Sequence, residues 1–118
     1  MNIQISMEWH DGEVLMRYVE VLIRQMINEY KGRLADDMLR IELEELQKKL
    51  YTRLNTTPKN KKINVNLNTA TITLILSVDR HKFLTDYYDE PNFFILLGVL
   101  SKISTNVKKQ VKKIIVTL

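Results

Sequence analysis

INVNLNTATITLILSV, residues 63–78, is the stretch on which the reading of the fold turns. Ile63, Val65 and Leu67 alternate with Asn64 and Asn66. After Asn68-Thr69 the alternation resumes, with Ala70, Ile72, Leu74, Leu76 and Val78 set against Thr71, Thr73, Ile75 and Ser77. Successive side chains on a strand point to opposite faces, so both halves read as half-buried strands. A two-residue turn at Asn68-Thr69 would place Leu67 opposite Ala70, Val65 opposite Ile72 and Ile63 opposite Leu74, with every apolar pair on one face. The expectation is a β-hairpin. Asn-Thr is weaker turn chemistry than Asn-Gly, which leaves room for a longer turn.

N-terminal to the hairpin, residues 55–62 (NTTPKNKK) form a polar loop too short to link two domains. Before it, residues 36–54 read as a helix opened by Asp36 or Asp37, with Leu39, Leu43, Leu46, Leu50 and Leu54 in one stripe and Leu34, Met38 and Ile41 on the other side, around its first turns. The preceding segment, residues 14–31, is a more apolar helix. Leu15, Tyr18, Val19, Leu22 and Met26 should face a sheet, while Ile23 and Ile27 should meet Met38 and Ile41 across an antiparallel helical hairpin. Met16 is left without an assigned contact. Asp11 and Gly32 are the expected N- and C-terminal caps. Ahead of them, Ile3, Ile5, Met7 and Trp9 alternate with Gln4, Ser6 and Glu8 as a further half-buried strand.

C-terminal to the hairpin, residues 80–88 suit a short helix behind Asp79, and Pro91 suits the first turn of another. That helix, from about residue 92 to 107 or beyond, should bury Phe93, Phe94, Leu97, Leu100 and Ile103, with Val107 a further candidate. Val107, Val111, Ile114, Ile115 and Leu118 keep helical spacing, yet KIIVTL from Lys113 onward is β-branched and suits an extended segment, and of the two a final strand is the reading favoured. The expected fold is α+β, in the order β-α-α-β-β-α-α-β. A mainly antiparallel sheet would be covered by an N-terminal helical hairpin and a C-terminal helix. From residue 36 this order is similar to one variant of the K-homology RNA-binding fold, in element order and not in residues. That fold carries a Gly-x-x-Gly loop where the backbone approaches phosphates. The corresponding link here reads YDEPN, with no glycine and two carboxylates, which argues against RNA binding by that route.

With 118 residues the chain suits a single domain. Its 45% hydrophobic and 27% charged content is ordinary for a globular protein. The absence of cysteine excludes disulfides, cysteine-based zinc sites and a cysteine nucleophile. The N-terminal MNIQIS lacks a basic-then-apolar signal, and no apolar run approaches ~20 residues, so a cytoplasmic protein with no membrane segment is expected. The wealth of Ile, Asn and Lys is the mark of an AT-rich genome, such as a low-GC bacterium or its phages and mobile elements. The net charge of +4 is unevenly spread. Residues 1–58 hold eight basic and ten acidic side chains, whereas residues 59–118 hold ten and four.

That basic half supplies the candidate nucleic-acid residues, Lys59, Lys61 and Lys62 before the hairpin and Lys102, Lys108, Lys109, Lys112 and Lys113 near the C-terminus. Ammonium groups on one face hold phosphates with little sequence reading. The plainer account is a solvated face that keeps a basic protein in solution. His10 beside Asp11 and Glu13, or His81 near Asp79 and Asp86, lacks a metal-ligand spacing. The three glycines are scattered, and no serine sits in a nucleophile-elbow context. No cofactor, metal or catalytic residue is assigned. The expected function is therefore a small non-enzymatic interaction or regulatory protein that binds another macromolecule, a protein or a second copy of itself. Met16, Leu39, Leu43, Leu46, Leu50, Tyr87 and Tyr88 would form its contact surface. The alternative is a nucleic-acid-binding accessory protein that uses the lysine-rich C-terminal region.

Overall fold

A computed structural model describes the backbone of residues 2–29, 34–77 and 90–117, with side chains at 2–24, 37–76 and 94–112. Within them the order is strand β1 (Asn2–Met7), helix α1 (Trp9–Glu29), helix α2 (Leu34–Thr56), strand β2 (Ile63–Asn68), helix α3 (Thr69–Ser77) and helix α4 (Glu90–Thr117). The fold is α+β but mostly helical, and the sheet has only two strands among the described residues. The expected helix at 80–88 lies outside the described residues.

The two strands are far apart in sequence and pair antiparallel. Ile3 lies opposite Leu67, Ile5 opposite Val65 and Met7 opposite Ile63. All six apolar side chains are buried, while Asn2, Gln4, Ser6, Asn64 and Asn66 face outward. One face of this ribbon is thus core and the other is wet. The partner of β2 is the N-terminal strand and not residues 70–77.

Those residues form α3, which corrects the hairpin. Asn68 ends β2, and its Oδ1 accepts from Thr71 N at 2.7 Å, the bond of an N-cap to the third helical residue. Asn68 Nδ2 also donates to Glu42 Oε2 of α2 at 2.6 Å, which fixes the cap in place. Beyond it Thr71, Ile72 and Ile75 are buried, a helical spacing that cuts across the alternation. Thr69, Ala70 and Thr73 stay exposed and Leu74 and Leu76 are half-buried, so the helix lies at the edge of the core with Ile72 and Ile75 turned inward. Tyr18 is fully buried on α1, and its hydroxyl donates to the Ile75 carbonyl at 3.0 Å. Helix α3 packs on α2 and β2.

Helix α1 is the spine, with Leu15, Tyr18, Val19, Leu22 and Ile23 buried, and it packs against α2 and α4. It starts at Trp9, so Trp9 belongs to the helix rather than the strand. Asp11 is not its cap, because the Glu8 carbonyl already accepts from Gly12 N at 3.0 Å. Trp9 Nε1 donates to the Leu54 carbonyl at 2.9 Å, tying the start of α1 to the end of α2. At Gly12 the helix runs close to β2. A Cβ there would collide with Ile63 Cδ1 and lie 3.3 Å from Leu54 Cδ2.

Two further corrections concern helix faces. On α2, Leu43, Leu46, Leu50 and Leu54 are core, but Met38 and Ile41 remain 61% and 50% exposed. At 100° per residue Ile41 lies opposite Leu50 and Met38 roughly 120° round from it, so covering them would turn Leu50 away from the core. On α4 the buried side runs through Leu96, Val99, Leu100 and Ile103, with Val107 partly covered, whereas Phe94 is 62% exposed and Leu97 half-buried. The same helix continues to Thr117, so the final strand expected from Lys113 is helical. A register of i, i+3, i+4 set by Leu96, Val99, Leu100, Ile103 and Val107 fixes the helix on the core, and its backbone continues in helical form through the β-branched last turns. With 69–77 and 113–117 helical, the similarity of element order to the K-homology fold falls away.

Candidate nucleic-acid interface

The outward face of the ribbon carries neutral amides and hydroxyls alone. The register sets Gln4 opposite Asn66 and Ser6 opposite Asn64, and all four are exposed. Antiparallel neighbours on one face have Cβ atoms ~5 Å apart, so the two amides work as a pair. No hydrogen bond ties the Gln4, Asn64 or Asn66 side chains to another described residue, unlike Asn68, whose amide is spent on the α3 cap and Glu42.

A groove runs along each edge. On the β2 side, Lys48, Lys49, Thr52, Arg53 and Thr56 of α2 line it together with Asn64 and Asn66. On the β1 side, Lys102, Thr105, Asn106, Lys109 and Gln110 of α4 line it together with Gln4. Gln110 Nε2 donates to the Gln4 carbonyl at 2.7 Å, occupying a main-chain acceptor on the edge of β1. An edge strand with free acceptors invites pairing with another chain, so this bond also blunts association through β1. Lys48, Lys49, Arg53 and Lys109 are exposed and join no ion pair among the described residues. The grooves are therefore cationic while the ribbon between them is uncharged.

The sequence-derived lysines divide into groups. Lys62 and Lys102 meet in a cleft at the Met7 end of the ribbon, which brings the two basic clusters together. Both are faced there by carboxylates, Lys62 by Glu8 at 3.9 Å and Lys102 by Asp11 at 3.1 Å. Lys59 stacks over the Trp9 ring, its Nζ 5.2 Å from the centroid, in a cation–π contact that fastens the loop before β2. Lys61 is exposed on that loop. Lys108 and Lys112 are exposed on α4, turned further from the ribbon than Lys109. Lys113 lies on α4, and its side chain is outside those described. At the Asn68 end a small cleft brings Glu42 and Glu45 beside Lys49 and Asn66, so carboxylates reach this edge of the cationic surface.

Most of the expected protein-contact residues are committed to folding. Leu43, Leu46 and Leu50 are core, Leu39 is half-buried, and Met16 packs against the core from its margin. A leucine stripe that closes the sheet cannot at the same time meet a partner. Tyr87 and Tyr88 lie outside the described residues. His10 stands edge-on to Trp9, with ring centroids 5.5 Å apart. No cluster of three His, Asp or Glu side chains suited to a metal occurs among the described residues. No helix there is long and apolar enough to cross a membrane.

Gln4, Lys48, Lys49, Arg53, Asn64 and Asn66 were not singled out from sequence. A signal was present, since Asn is disfavoured in strands yet occupies the outward positions of β2. Nothing in the sequence distinguishes Lys48, Lys49 and Arg53 from an ordinary solvated helix face. Comparison of the chain with family models, with curated proteins and with solved structures finds no match.

Proposed function

We propose that this chain is a non-enzymatic binding protein with a regulatory or accessory role, and that its partner is a nucleic acid held on the wet face of the ribbon. One observation supports this above the others. An uncharged, amide-bearing strip lies between two grooves whose cations Lys48, Lys49, Arg53 and Lys109 join no ion pair among the described residues. Phosphates neutralise such cations, and amides supply donors and acceptors to whatever lies between the phosphates. This face differs from the C-terminal lysine surface inferred from sequence, although Lys102 and Lys109 belong to both.

The proposal is tested by fluorescence anisotropy of labelled DNA and RNA across a salt series. Four engaged phosphates give a log–log slope of about −3 to −4. Replacing Lys48, Lys49 and Arg53 by Gln together should flatten that slope by about 2 to 3, while Lys102→Gln, which breaks a pair already neutral, should change it far less. Absence of binding at low salt overturns the proposal. If the chain instead self-associates or retains a protein through the exposed Met38 and Ile41, the function reverts to a protein partner.

A further inference from the structure

We infer that the nucleic acid is double-stranded DNA, that the β1–β2 ribbon faces its major groove, and that Gln4 and Asn66 read adenines there. The inference rests on the binding proposed above and specifies its ligand. Single strands are held by stacking their bases on aromatic side chains. The outward side chains of the ribbon are Asn2, Gln4, Ser6, Asn64 and Asn66, so among the described residues this face offers no ring on which an unpaired base could stack. A ligand whose bases already stack on one another suits it better.

Dimensions point the same way. Two strands lie ~4.8 Å apart, and a two-stranded ribbon fits a B-form major groove ~12 Å wide. Outward residues recur every ~6.8 Å along a strand, which spans two steps of ~3.4 Å between base pairs. A ribbon centred on the groove would hold its flanking helices over the two phosphate strands. Lys48, Lys49 and Arg53 stand on one side and Lys109 on the other. Double-stranded RNA has a deep, narrow major groove that side chains do not read, so the same ribbon cannot enter it.

The choice of base follows from amide chemistry. An Asn or Gln side chain donates to N7 of adenine and accepts from its N6 amino group as a matched pair of bonds. Both the Gln4 and Asn66 amides are exposed and free of other described residues. They sit directly opposite each other, placing two such readers at the centre of the strip.

The experiment is selection by the full-length chain from a random-sequence duplex DNA pool, followed by anisotropy with the recovered site as duplex DNA, duplex RNA and single strand. A recovered site with fixed adenines is expected, and replacing a fixed A·T pair by G·C should weaken binding by about 5- to 150-fold. Gln4→Ala and Asn66→Ala should each relax one fixed position and leave the salt slope unchanged, with the circular dichroism of the parent. A pool that stays random, or tighter binding to single strands or duplex RNA, overturns this inference while leaving the proposed function standing. Retention of no nucleic acid at low salt overturns both.

Discussion

Strand β2 and helix α3 are consecutive in the chain and carry the same apolar alternation, yet one is a strand and the other a helix. For β2 the alternation coincides with burial, because Ile63, Val65 and Leu67 pair with β1 and all face the core. For α3 it does not, because Thr71, Ile72 and Ile75 are the buried positions. The difference teaches that period two specifies a strand only where a partner strand of matching register exists. Asn2–Met7 supplies six residues with the right alternation, and β2 uses all of them. Among the described residues no further strand lies beside residues 69–77. A helix satisfies their backbone internally, and Asn68 caps its first turn.

The sharpest way to break this contrast is to truncate side chains within α3. Ile75 is fully buried, whereas Leu74 is half-buried at the margin of the core. Ile75→Ala should lower unfolding free energy by about 3 kcal/mol and Leu74→Ala by about 1 kcal/mol, read by urea denaturation. A hairpin would reverse the order, since Leu74 would face inward and Ile75 outward. Equal or reversed losses would remove α3 as described.

That contrast also marks where the sequence was legible. Residues 2–7, the apolar arc of α1, the leucine stripe of α2 and residues 63–67 could be read because periodicity and burial agree there. Residues 69–77 could not, because TATITLILS satisfies period two in sequence while its environment selects 3.6. The last turns of α4 were obscured for a related reason. Their β-branched residues prefer strands, but they continue a helix already registered on the core from Leu96. The candidate site was legible in half. Clusters of lysine were visible, but whether each is neutralised depends on contacts far apart in sequence. Lys102 finds Asp11 across 91 positions, while Lys109, two turns along the same face, finds no carboxylate among the described residues.

A smaller effect tests what anchors α3 at its end. Ile75 is in the last turn, where carbonyls have no donor within the helix, and the Tyr18 hydroxyl supplies one inside the core. Tyr18→Phe keeps the ring packing and removes the donor. The expected loss is about 1 to 2 kcal/mol, with faster amide exchange concentrated in α3 rather than in the ribbon. A loss spread evenly over both would mean that Tyr18 holds the whole core and does not single out α3.

The smallest effects fall at the junction, where strand and helix compete for the same two residues. Asn68→Ala removes the cap to Thr71 and the bond to Glu42, and should cost about 1 kcal/mol. Thr69→Gly is the more revealing change, because Asn-Gly is the strongest two-residue hairpin signal and gives residues 70–77 their best chance to fold back on β2. A hairpin, however, would have to expose Ile75 and forfeit the Tyr18 bond, and the β2 edge facing α2 is already flanked by that helix. Turn chemistry of this kind is worth less than the burial it would have to undo. Thr69→Gly should therefore lower stability by less than about 1 kcal/mol and leave helical Cα chemical shifts across 70–77. Extended shifts in those residues would mean that the turn, and not the partner strand, decides between the two forms.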